Sequence, residues 1–350
     1  MRPFSTSLRV LGISFLLPLA SALTAQDLNN AGAYMTVISN AQTEMNKTYM
    51  AYLSAVAHSK ARKVEKLRQQ TVESITNCKY KIIDVPFYKG DNSLRKSSIT
   101  YIDMVYKVFN DDYAHIVNIE ELAEQSFDEM QLYILLQEKT DEKLREAYDT
   151  MYQASKNFAK KYNVTVIETK SELDDKMEIS SGVNHYKNQL YLIFFKCNWQ
   201  DQQIDEAINQ KKFTGIEQAR SALGNYAKEG LLALDSLSNF KGDHSLAQAC
   251  RQALLFYQKH AETNLPKMTD FFLKEENLAK MKKSIDSKPQ SSLTKQEIDA
   301  YNKAVNDFNV SVNSYNQLND NVNQNKDQIT KAWSEAEKQF LDAHVPYYKS

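Results

Sequence analysis

Apolar residues recur every three or four positions along most of the chain. Met35, Ile38, Met45, Tyr49, Tyr52, Leu53 and Val56 make one such face. Ile119, Leu122, Ala123, Ser126, Met130, Tyr133, Leu136, Leu144, Tyr148, Met151 and Phe158 make a longer one. That spacing is the signature of amphipathic helices. If the second run is one helix over 116–162, it is about 70 Å long at 1.5 Å per residue. Turn residues are scarce: no Gly or Pro stands between Gly90 and Gly182. A sheet protein needs turns every ten or so residues. The pattern therefore predicts an all-α chain of elongated bundles.

Tyr88-Lys-Gly-Asp-Asn-Ser-Leu94 returns 152 residues later as Phe240-Lys-Gly-Asp-His-Ser-Leu246. Gly90 and Gly242 suit a left-handed cap at a helix end. Asp91 and Asp243 suit capping of the next helix, whose apolar face begins at Leu94 and Leu246. The phrase reads as a helix–turn–helix joint in preference to a Lys-Gly-Asp recognition tripeptide. At the same offset Val64-Glu-Lys-Leu-Arg68 meets Ile216-Glu-Gln-Ala-Arg220, Tyr34 meets Tyr186 and Ile102 meets Leu254. Two tandem duplicated four-helix units follow, over 26–181 and 182–350. Their helices are expected at 29–58, 60–85, 92–110 and 116–162, then at 184–210, 213–238, 244–263 and 294–341. Segments 163–181 and 264–293 would link or decorate them.

The last helix opens on a capping box, Thr294-x-x-Glu297. Its seam runs Ile298, Tyr301, Val305, Phe308, Val312, Tyr315, Leu318 and Val322. Asn302, Asn306, Asn309, Asn313, Asn316, Asn319 and Asn323 follow these residues and form a stripe beside the seam. Asparagine is a mediocre helix former. Two readings stand: the stripe fixes register by hydrogen bonds to neighbouring helices, or it offers a neutral polar face, with Tyr315, to a partner or glycan.

The first residues carry Arg2 and Arg9, an apolar run from Val10 to Leu19, and small residues at Ala20-Ser-Ala22. This is expected to be a secretory signal peptide over 1–25, cleaved after Ala22 or Ala25. No cysteine follows it to take a lipid, and no later run reaches the ~20 apolar residues of a membrane span. The chain is expected to be exported, to the periplasm or the cell surface.

Charge excludes one partner class. The chain has 43 basic residues, less Arg2 and Arg9 on cleavage, against 44 acidic ones. Nucleic-acid binders show a basic excess instead. Charge is segregated between Lys60, Arg62, Lys63, Lys66 and Arg68 and the acidic Asp111, Asp112, Glu120, Glu121, Glu124, Asp128 and Glu129. The three cysteines, Cys78, Cys197 and Cys250, allow at most one disulfide and read best as buried small hydrophobes.

There is no HExxH, Glu-x-x-His, GxSxG, Walker A, Rossmann glycine pattern or EF-hand loop. The six histidines are scattered. No cofactor or metal is expected, and the chain reads as non-enzymatic. The leading function is an interaction or structural module whose partner is a protein or glycan of the envelope or host. The alternative is a carrier holding a small hydrophobic ligand among Tyr191, Phe194, Phe195, Phe256 and Tyr257.

Four phrases carry a family resemblance: Glu124–Met130, Tyr191–Lys196, Phe240–Leu246 and Phe340–Pro346. With them the chain resembles a family of exported, all-helical surface proteins of spirochaete and Bacteroidetes type. The resemblance implies location and fold. It carries over no catalytic residue.

Overall fold

The computed structural model describes residues 28–112, 125–167, 171–210 and 212–349. The expected signal peptide lies outside them, as do Glu120, Glu121, Glu124 and the start of the expected 116–162 helix. Among the described residues the protein is all-α and contains no strand.

The helices are α1 (Ala31–His58), α2 (Ala61–Ile83), α3 (Ser93–Lys107), α4 (Phe127–Lys161), α5 (Glu172–Asn209), α6 (Phe213–Ser236), α7 (Ser245–Lys259), α8 (Leu265–Asp286) and α9 (Lys295–His344). π-helical turns extend α3 over Val108–Asp112 and join α7 to α8 over His260–Asn264. Local chemistry sets several ends. Asn30 Oδ1 accepts from Ala33 N at the start of α1. Ser126 caps α4 through Glu129 N. The Thr294/Glu297 box is formed at α9, each side chain accepting from the other residue's backbone N–H.

Three helices differ from the sequence expectation. α4 begins at Phe127, not near 116, because Ser126 is extended and caps it. α5 begins at Glu172, not near 184, because Gly182 sits inside the helix. Segment 264–293 holds α8, begun by Pro266 in the first turn, where its missing N–H costs nothing.

The chain forms two compact units. The first holds the residues up to Gln189 together with Lys338–Ser350, and the second is Leu190–Glu337. The division falls within α5 rather than at 181/182.

The first unit has an apolar core built from α1, α2, α3, α4 and the start of α5. Tyr34 stacks on Phe158 at 5.4 Å, and Tyr88 meets both Phe158 and Tyr162 edge-on. The C-terminal residues join this unit. His58 on α1 lies 3.0 Å from Asp342 Oδ1 and 2.9 Å from the Val345 carbonyl, and stacks on Tyr347. Tyr348 N donates to Ser54 Oγ at 2.9 Å.

In the second unit Leu223, Ala227, Leu254, Leu265 and Met268 are buried. Trp333 of α9 stacks on Phe194 of α5 at 4.5 Å and 4°. Gly230 lets α6 approach closely: a Cβ there would meet Ile193 and Leu254 at 3.0 Å.

Candidate functional site

The repeated phrase forms the same joint twice. Lys89 and Gly90 have φ of 49° and 82°, and Lys241 and Gly242 have 51° and 84°. Two successive left-handed residues make a type I′ turn. It is closed by Tyr88 with Asp91 in one case and Phe240 with Asp243 in the other. The glycines are thus turn residues, not helix C-caps, since α2 has already ended at Ile83. Asp91 Oδ1 accepts from Ser93 N, and Asp243 Oδ1 from Ser245 N, at the starts of α3 and α7. Asp91 also accepts from Lys161 Nζ at 2.7 Å and from the Tyr162 hydroxyl. The Lys161 bond, then the Ser93 N–H, hold its carboxyl well below the usual range against burial.

The correspondence continues past the phrase. At the 152-residue offset, α3 and α7 begin and end together, and so do the π turns that follow them. Glu65–Arg68 and Glu217–Arg220 form the same ion pair at 2.8 Å. Core positions match: Leu94 with Leu246, Ser98 with Cys250, Ile102 with Leu254, all buried.

At two matched core positions the chemistry changes. Tyr49 and Val108, buried in the first unit, correspond to Asp201 and His260, buried in the second. Asp201 comes from α5, His260 opens the π turn after α7, and Lys326 reaches in from α9. Lys326 Nζ lies 2.8 Å from Asp201 Oδ2 and 2.8 Å from Asp205 Oδ1. Tyr257 donates to Asn198 Oδ1 at 3.0 Å. The His260 ring lies parallel to Phe256.

This cluster is electrostatically strained. His260 is 1% exposed and Asp201 4%. Both imidazole nitrogens and Asp201 Oδ1 have no hydrogen-bond partner among the described residues. Each such buried atom costs about 1–3 kcal/mol. Burial pushes the Asp201 carboxyl up to about 6, against the pull of Lys326. Burial, reinforced by Lys326, lowers His260 to about 3. Burial also pulls Lys326 down, but Asp201 and Asp205 outweigh it and keep its ammonium above the ordinary value. None of the three was expected from motifs, because they lie far apart in sequence. The signal was available in the offset, which places an acid and a histidine on core positions.

The expected asparagines lie elsewhere. Asn302, Asn306, Asn309, Asn313 and Asn316 are exposed along α9. Tyr315 is half-buried, stacked on Phe271 of α8 at 4.2 Å. A groove of about 700 Å³ runs between α8 and α9, lined by Lys267, Phe271, Val310, Ser314, Tyr315 and Asn321 among others. The aromatics expected around a carrier ligand pack differently: Phe194 and Tyr191 against Trp333, Phe256 on His260. Cys78, Cys197 and Cys250 are free and buried.

Among the described residues, no group of three or more His, Cys, Asp or Glu side chains is placed to hold a metal ion. No helix among them is long and apolar enough to cross a membrane. No protein-family model, curated protein or solved structure matches the chain.

Proposed function

We propose that the protein is an exported, non-enzymatic interaction module, and that the α8–α9 hairpin is its contact face. One observation carries this reading. From Leu273 to Asn321 no residue is buried, although α9 there bears the apolar seam Tyr301, Val305, Phe308, Val312, Tyr315 and Leu318. Val310 is 72% exposed and Leu273 53%. Two helices alone half-cover such a seam, and a partner can cover the rest. The asparagine stripe beside it adds neutral donors and acceptors suited to a protein or glycan of the envelope or host. The matched helix ends, turns and core positions support duplication of one helical unit as the origin of the scaffold. The second copy then carries the hairpin as its own elaboration.

The test uses the full chain without its first 25 residues, labelled and titrated onto intact cells and isolated envelopes of the source organism. Val310→Asp and the triple change Asn309, Asn313 and Asn316→Ala should each weaken binding at least about tenfold, with melting temperature held. The asparagines are exposed and poorer helix formers than alanine by about 0.5 kcal/mol each. The triple variant should therefore melt no lower than the parent. Unchanged binding by both variants refutes the hairpin as contact face. Lost melting temperature with intact binding would restore the register reading of the stripe.

A further inference from the structure

Two helix pairs of the chain share one backbone plan. α2 packs on α3 and α6 on α7. The same turn joins each pair, and matched positions lie 152 residues apart. Similar units in one chain are prone to misassembly: a helix of one can pair with the complementary helix of the other, in the same chain or in a second copy. The contacts along the two pairs differ in a way that opposes this.

In the first pair Lys79 Nζ lies 2.6 Å from Asp103 Oδ1. The matched residues of the second pair are Leu231 and Leu255. One turn further along, the roles are exchanged. Ile83 and Ile99, both half-buried, match Asp235 and Arg251, whose Oδ1 and Nη2 are 2.6 Å apart. A third ion pair, Lys228 with Glu262 at 2.9 Å, stands where the first unit has Thr76 and Asn110. The close approach differs as well. At Gly230 of α6 an added Cβ would meet Leu254 of α7 at 3.0 Å. The matched residue of α2 is the buried Cys78.

These differences decide what a wrong pairing would meet. With α2 on α7, Lys79 would face Leu255 and Ile83 would face Arg251. Cys78 would fall where even a Cβ is too close. With α6 on α3, Leu231 would face Asp103 and Asp235 would face Ile99. Gly230 would leave a gap beside Ile102. All three of these ion pairs are lost in either case, because none occupies matched positions. Exposed ion pairs add little stability each. Their effect lies in where they stand, since they form only when each helix has its own partner.

We propose that α2–α3 and α6–α7 carry non-interchangeable pairing surfaces, which keep the two similar helix pairs from exchanging helices within one chain or between two copies as it folds. This is independent of the α8–α9 contact face.

The experiment compares two full-chain variants of identical composition. Both carry Asp235→Ile and Arg251→Ile. One adds Leu231→Lys with Leu255→Asp, the other Leu231→Asp with Leu255→Lys. Correctly paired, each holds one new Lys–Asp pair at positions that are half-buried and 51% exposed, so both should unfold at the same urea midpoint. Mispaired, they differ. The first sets a new aspartate opposite Lys79 and a new lysine opposite Asp103, whereas the second sets like charges at both places. Each chain is unfolded in urea and diluted at low salt to micromolar concentration. The fraction recovered at the parent's elution position is then measured by size exclusion. The first variant should lose at least about threefold more chain to misassembled species than the second, which should recover like the parent. In about 1 M salt the difference should vanish. Equal recovery of the two variants, or poorer recovery of the second, overturns the proposal. So does a difference that follows unequal urea midpoints or persists in salt.

Discussion

Lys326→Met isolates the term on which the buried cluster depends. The change keeps most of the aliphatic stem and removes the ammonium that sits 2.8 Å from Asp201 Oδ2 and 2.8 Å from Asp205 Oδ1. Asp205 is half exposed and rehydrates at little cost. Asp201 is not, with its side chain 6% exposed. Removing one member of a buried pair costs about 3–5 kcal/mol, because the remaining charge stays desolvated. Asp201 has an escape, since it can take up a proton. Lys326 now pulls its carboxyl down from where burial would put it, so the variant's value lies above the parent's value of about 6. A folded value raised above the unfolded one gives stability that is present at low pH and lost as pH rises through it. Urea unfolding followed by Trp333 fluorescence should therefore show a loss of about 3–5 kcal/mol at about pH 8. At about pH 5.5 the loss should shrink by at least about 1.4 kcal/mol, the equivalent of one pKa unit. Equal losses at both pH values, or less than about 1 kcal/mol at pH 8, would refute the account of Asp201 as a desolvated charge balanced by Lys326.

Two further outcomes follow from buried thiols and from the repeated turn. Burial pushes the Cys78 and Cys197 thiols up to about 12 and raises Cys250 as well. A disulfide reagent at neutral pH should modify none of the three in the native protein and all three in urea, and fast native labelling would contradict their burial. Gly90→Ala and Gly242→Ala place a Cβ on residues with φ of +82° and +84°, with nothing within 4 Å to clash. Each should cost about 1–2 kcal/mol from backbone strain alone, measured by urea unfolding. Markedly unequal costs would mean that the two turns are not the same device.

The helical class was legible because it rests on a deficit, the scarcity of Gly and Pro, that no tertiary contact can overrule. The joints were legible in kind, since Gly and Asp have few other reasons to recur in that order. Their form was not, because the sequence does not say that α2 stops at Ile83, before the turn. α8 was hidden by its charged second half and by Pro266, which ends helices more often than it starts them. Gly182 misled in the other direction: a single glycine inside a well-packed helix costs only about 1 kcal/mol. The buried cluster escaped motif reading because Asp201, His260 and Lys326 converge only through the packing of α5, α7 and α9. The groove draws on the seam that was read along α9, but Phe271 belongs to the helix that was not expected.

The bond between His58 and Asp342 joins residues 284 apart in sequence. Tyr348 reaches Ser54 across 294. A chain that emerges from its N-terminus completes α1 early but must expose its end until nearly everything else has appeared. For that interval Ser54 and His58 lack the groups that satisfy them, while the whole of Leu190–Glu337 has time to fold. The first unit to begin therefore closes only after the second has been made, and its closure registers that Lys338–Ser350 has arrived. Contacts of such long separation are slow to form. Refolding should accordingly show the second unit, read by Trp333, ahead of the ring stacking between His58 and Tyr347.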